Sequence, residues 1–204
     1  MTDVSEKKDY PLKLPTSLLT EVGFLFQNDT FIFPSEYNKH PEKLFLNGNY
    51  FVPGTNWWEN KSLIHSSSVY IFDSVIQALS FCSLRKLSLE DTHLLAIGSA
   101  SQILKKKPFY ESVKGKKIRF VFPNTLIGKI NETLFAFELR KKELKIRSDG
   151  EFIVCSYQNI MKRIPSPQFS LNRVMKEYGM LLKHIRTVKP PKPYTTFYQM
   201  LCEN

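Results

Sequence analysis

Cysteine is scarce and odd in number. Cys82, Cys155 and Cys202 stand far apart, with no CxxC pair and no Cys/His cluster, which argues against a disulfide framework and a structural zinc site. Buried or incidental thiols in a reducing compartment are the reading that remains. No uncharged apolar run approaches the roughly 18 residues that a membrane span requires. Met1 to Tyr10 is polar and charged, without the apolar centre of a signal peptide, so a cytoplasmic protein with no membrane partner is expected. The four histidines, His40, His65, His93 and His184, are dispersed and form no HExxH. GxSxG, GxGxxG and GxxxxGK[ST] are all missing. No nucleophile–base pair is legible. Acids are also in short supply: 19 Asp and Glu face 29 Lys and Arg, a formal charge of +10. That balance favours polyanionic partners, nucleic acid first, then acidic proteins or anionic surfaces.

Apolar residues, in contrast, are plentiful. They make up 42% of the chain, with 13% aromatic, enough for a sizeable core. Residues 1–10 read as a disordered leader and 11–65 as a small β-rich lead-in. In the lead-in, Gly23–Phe26, Phe31–Pro34 and Phe45–Phe51 are strand-like runs between turn signals, with Asn47-Gly48-Asn49 suited to a hairpin. From 66 to 165 strands and helices alternate. Val69–Phe72, His93–Ile97 and Lys117–Phe122 read as strands, and a fourth is expected at Phe152–Cys155. Helical spacing runs from Ile76 to Cys82 and from Leu126 to Lys141. Either Asp73 or Ser74 can cap the first helix. This alternation predicts an α/β fold with a mainly parallel sheet flanked by helices, whose sites lie at the carboxyl ends of the strands. Residues 166–204 read as a helical basic tail. It has apolar spacing from Leu171 to Ile185, an extended break at Lys189–Pro193 and a short helix at Thr195–Cys202.

Three loop sequences, in order, resemble the motifs of a Toprim domain, the metal-dependent module of primases, topoisomerases and the primase-like proteins of mobile elements. Val69-Tyr70-Ile71-Phe72-Asp73-Ser74-Val75-Ile76-Gln77-Ala78-Leu79-Ser80 is similar to the first motif, Leu95–Ser101 to the second strand and its small-residue loop, and Ile118–Gly128 to the strand that runs into Asp-x-Asp. The resemblance covers about 80 residues and implies a Toprim-like fold. Its metal-binding acids are mostly absent. Asp73 replaces a Glu, Gln77 an Asp, and Pro123 and Thr125 the two acids of Asp-x-Asp. Neutral oxygens cannot supply the charge that Mg²⁺ needs to shed its water. No cofactor is therefore expected, and the enzyme question leans towards no. The enzyme alternative is a divergent primase or nuclease using Mg²⁺, Asp73 as its catalytic residue, and acids such as Glu132, Glu138 or Asp149. Ser74, Gly98, Ser99, Ser101, Asn124 and Gly128 lie in the strand-end loops, where backbone N–H groups can meet a phosphate or can simply turn the chain.

The basic residues gather in two clusters. Lys105, Lys106, Lys107, Lys114, Lys116, Lys117 and Arg119 surround Phe109 and Tyr110; Arg140, Lys141 and Lys142 form the second, with Lys145 and Arg147 close behind. Lysines interleaved with aromatics can track a phosphate backbone and stack on bases, or form a solvated face over core aromatics. The expected function is a catalytically degenerate Toprim-like protein that binds nucleic acid, or a replication or mobile-element partner, through these clusters. A further alternative is a module docking an acidic protein, with Trp57-Trp58 as anchor or packed against the sheet edge.

Overall fold

The computed structural model describes residues 13–33, 41–45, 50–52, 58–60, 66–90, 92–98, 113, 115–181 and 183–204. The first described element is α1 (Thr16–Val22), which ends at Gly23 in the left-handed region (φ 72°). An antiparallel meander comes next: β1 (Leu25–Gln27), β2 (Thr30–Phe33), β3 (Glu42–Phe45) and β4 (Tyr50–Val52). Asn28 and Asp29, with φ of 49° and 53°, form the first turn; positive φ at both central positions is what a twisted two-residue hairpin requires.

The central sheet is assembled from distant segments. Its strands are β5 (Trp58–Glu59), β6 (Ser68–Phe72), β7 (His93–Ala96), β8 (Lys117–Val121) and β12 (Ile185–Thr187), in the order β12-β8-β6-β7-β5. The first four run parallel and β5 pairs antiparallel at the edge. Alternation divides β6 between two cores. Val69 and Ile71 face a cluster with Leu95, Phe120, Phe135 and Val174. Tyr70 and Phe72 face Ile76, Leu79, Phe81 and Leu94. The second cluster belongs to α2 (Val75–Arg85), the first to α3 (Leu126–Glu138). Phe135 of α3 meets Phe120 at 5.7 Å between ring centroids.

The remaining elements are a second meander and the tail. β9 (Lys145–Asp149), β10 (Phe152–Tyr157) and β11 (Ile160–Pro165) form a three-stranded antiparallel sheet. Its inner residues Ile153, Cys155 and Ile164 enter the α3-side core. A short 3₁₀ turn (Ser166–Gln168) precedes α4 (Leu171–Glu177), and α5 (Phe197–Glu203) closes the chain.

The expected mainly parallel sheet flanked by helices, with a helical tail, is therefore corrected to a mixed α/β fold with three sheets, one mixed and two small antiparallel ones. Phe152–Cys155 is not a fourth parallel strand. Gly150 (φ 62°) on one side and Gln158-Asn159 (φ 49° and 64°) on the other reverse the chain at once, whereas a parallel strand needs a crossover of a dozen residues or more. In the tail, the helical spacing ends at Glu177 because Gly179 adopts φ 63°. Ile185–Thr187, rich in β-branched residues, pairs in parallel with β8 instead, leaving a single seven-residue helix after it. The segment Asn47–Asn49 lies outside the described residues.

One side chain pins the first meander to the central unit. Glu42, 4% exposed, accepts the backbone N–H groups of Val75 at 2.7 Å and Ile76 at 2.8 Å, at the first turn of α2. These are donors that the helix cannot satisfy internally. Glu42→Ala leaves both buried and is expected to cost about 1–3 kcal/mol, read from urea unfolding; an unchanged midpoint would show that the meander is held by its apolar face alone.

Candidate functional site

β6 is flanked by β7 on one side and β8 on the other, and α2 and α3 lie on opposite faces. The carboxyl ends of β6 and β8 thus form a topological switch point, the place where open α/β sheets bind ligands. Asp73 directly succeeds β6, and Pro123, Asn124 and Thr125 come after β8. Glu132 reaches in from α3, and Lys189 comes from the segment after β12. Lys189 Nζ donates to the Glu132 carboxylate and to the Phe122 carbonyl at 3.2 Å.

Burial dominates the titration of these acids. It raises Asp73 to about 6, against the opposing pull of its own and Ser74's hydrogen bonds and of Lys189. It raises Glu132 as well, with Lys189 opposing. Glu42 is pushed up to about 8 by burial first and by the nearby Asp73 last, against the N–H groups of Ile76 and Val75. The group that meets the Glu132 carboxylate is the Lys189 side chain. The donor set does not fit a divalent ion: Glu132 is committed to Lys189, Glu42 to the start of α2, and Pro123 and Thr125 carry no charge. Among the described residues no group of three or more His, Cys, Asp and Glu is arranged to hold a metal.

The strand-end loops are built for packing. Ser74 is the N-cap of α2, its Oγ facing the Gln77 N–H at 3.4 Å, so Asp73 is not the cap. Gln77 in turn accepts the N–H groups of Phe197 and Tyr198 at 3.0 and 3.3 Å, at the first turn of α5, whose N-cap is Thr196. Thr125 caps α3 by accepting the Gly128 N–H at 3.1 Å. A Cβ on Gly128 would sit 2.4 Å from the Pro123 carbonyl oxygen, so only glycine permits that approach. The Asn124 N–H donates to Thr195 O at 2.7 Å. Gly98 turns the chain at φ 58° after β7, while Ser99 and Ser101 lie outside the described residues. Of the other acids considered, Glu138 ends α3, and Asp149 sits on the second meander, paired with Arg163 at 3.1 Å.

The basic residues separate by face. Lys105, Lys106, Lys107 and Lys114 lie outside the described residues. Lys116 donates to or shares a proton with His93 Nδ1 at 2.8 Å, and His93 Nε2 meets Glu59 at 2.6 Å; burial, opposed by Glu59, lowers the Lys116 amine. Lys117 and Arg119 alternate onto the α2 side of β8. Arg119 stands in register with Tyr70 on β6 and Arg186 on β12, and its guanidinium lies 5.5 Å from the Tyr70 ring centre. Lys117 and Arg186 are exposed, and Arg119 is half-buried. Its Nε is fully enclosed without a hydrogen-bond acceptor.

The second cluster lies across the central sheet. Arg140 donates to Leu181 O at 2.7 Å, and Lys142 reaches Met180 Sδ at 3.4 Å and stands 5.3 Å from the Tyr157 ring centre. Both brace the junction of α3, α4 and the second meander, and Lys141 is exposed. Trp58 is buried on the edge strand β5, and Trp57 lies outside the described residues. Sequence reasoning missed Arg186 and Lys189 as partners of β8; the β-branched pattern of Ile185 and Thr187 was the available signal.

Comparison with protein-family models, with curated proteins and with solved structures finds no match. Among the described residues no helix is long and apolar enough to cross a membrane.

Two outcomes test the strand-end cluster. Removing the cation by Lys189→Met strands Glu132, 2% exposed, and is expected to cost about 3–5 kcal/mol at pH 8; adding Glu132→Gln should return most of it, and an additive double variant would refute the pairing. Asp73 titrates higher in the folded chain than the ordinary value near 4. The folded state then holds the extra proton, so its contribution is fully present below pH 4 and is lost as pH rises through about 6. Asp73→Asn should therefore be more favourable to stability at pH 8 than at pH 4.5, and the opposite order would contradict the assignment.

Proposed function

We propose that this chain binds nucleic acid through its phosphates and does not catalyse cleavage or synthesis. The observation that carries the reading is the strip on the α2 side of the central sheet, where Lys117, Arg119 and Arg186 project together from β8 and β12. Among the described residues none of the three has an ion-pair partner. Adjacent like charges repel in the free protein, and a polyanion relieves that repulsion while releasing counterions. The net charge of +10 supports the same partner class. So does the Toprim-like order of motifs in 69–128, with a replication or mobile-element context and a cytoplasmic location as part of this reading. Lys189 in the strand-end crevice supports the non-catalytic half: an ammonium serves the buried acid there.

Binding of single- and double-stranded oligonucleotides should weaken steeply with salt. Replacing Lys117, Arg119 and Arg186 together by Ala should reduce the slope of log affinity against log salt by about 1.4 to 1.8, at 0.7–0.9 for each of two phosphates met. Chelation of divalent ions should change nothing. An unaltered slope in the triple variant would remove the strip from the reading, and Mg²⁺-dependent turnover lost in Asp73→Ala would favour the enzyme.

A further inference from the structure

We infer that the strip is a sequence-blind reader of the phosphodiester backbone, in which Arg119 and Arg186 clamp one phosphate and Lys117 meets the next; this rests on the nucleic-acid reading above. Arg119 and Arg186 are register partners on adjacent strands, so their Cα atoms are about 4.8 Å apart. Two long side chains rooted that close together on one face can bring their guanidinium groups to one phosphate, each offering planar paired donors. Lys117 lies two residues back along β8 on the same face, about 6.6 Å away, and presents a single ammonium.

Arg119 is held ready for that role. Its guanidinium stands over Tyr70 and its Nε is enclosed, so the head group has little freedom to lose and its terminal nitrogens are the donors left for a ligand. The same contacts limit the chemistry of the strip. Base stacking needs an open aromatic face. Tyr70 carries Arg119 against its ring and meets Phe81 at 5.3 Å between centroids, tilted by 42°. Asn and Gln, the side chains that read adenine edges, are missing from Ser68, Tyr70, Lys117, Arg119 and Arg186, which the strands place side by side there. Charge and fork geometry therefore provide recognition, and the bases are left unread.

The test uses the full chain and fluorescent oligonucleotides of equal length: a mixed sequence, a thymidine homopolymer, an abasic strand, and a mixed sequence with neutral methylphosphonate links. Poly-glutamate is a competitor of similar charge. The mixed, homopolymer and abasic strands should bind within about threefold of one another, and the methylphosphonate strand at least tenfold more weakly. Arg119→Lys keeps the charge but loses the fork; it should weaken binding about tenfold with the salt slope retained. Arg186→Lys, at an exposed site, should act in the same direction and separates this effect from any cost of repacking Arg119. Base-dependent affinity, loss of the abasic strand, lysine variants that bind like the wild type, or competition by poly-glutamate as strong as by DNA would each overturn the inference while leaving nucleic-acid binding standing. No binding of any phosphate-bearing strand would overturn the underlying reading.

Discussion

Burial of β6 on both faces is the constraint on which the rest of the molecule depends. Val69, Ile71 and Phe72 are each 0% exposed, so apolar partners are required above and below a five-residue strand. α2, returning from the end of β6, covers one side with Leu79 and Phe81; α3, from the end of β8, covers the other with Phe135 and Phe137. Each such buried side chain is worth about 1.5–3 kcal/mol relative to exposure. Once both faces are closed, two polar regions of the central unit stand out: the strand ends and the flank of β8 and β12.

Those two places are used differently. At the strand ends the polar side chains serve the fold itself. Glu42 and Ser74 start α2, Thr125 starts α3, Gln77 starts α5, and Lys189 holds Glu132. Each of these groups is thereby committed to a partner within the fold. On the flank, Lys117, Arg119 and Arg186 have no acid to meet among the described residues. The acids of the second meander lie across the sheet, where Asp149 pairs with Arg163 and Glu143 with Lys145. Exposed pairs of that kind contribute little to stability.

Local patterns in the sequence predicted local structure well. Val69–Phe72, His93–Ile97 and Lys117–Phe122 read as strands because their apolar runs are short and bounded by turn or cap residues, and Leu126–Lys141 read as a helix from its spacing; the structure ends them at Phe72, Ala96, Val121 and Glu138. Sheet membership was not legible, since it depends on how the chain enters and leaves a strand. Phe152–Cys155 resembles a buried parallel strand in composition, and only the tight turns on either side make it a meander. The tail misled for a related reason: Leu171, Val174, Met175 and Tyr178 continue at helical spacing into Leu181, while the left-handed turn at Gly179 ends the helix. Two of the three residues of the candidate strip, Lys117 and Arg119, were visible as a basic run. Arg186, Lys189 and Glu42 were not identified as site residues, because each acts across 33 or more residues of chain and no periodicity encodes such a contact.

On the proposed reading, nucleic acid would meet the flank of β8 and β12 and leave the strand-end crevice and the Arg140–Lys142 cluster free. Amide chemical-shift mapping of the full chain titrated with a mixed-sequence oligonucleotide tests it most directly. The account predicts perturbations concentrated at residues 117–119 and 185–187, with residues 140–147 and Asp73 unmoved. Perturbations centred on Arg140–Lys142 or on the ends of β6 and β8, with the flank silent, would contradict it.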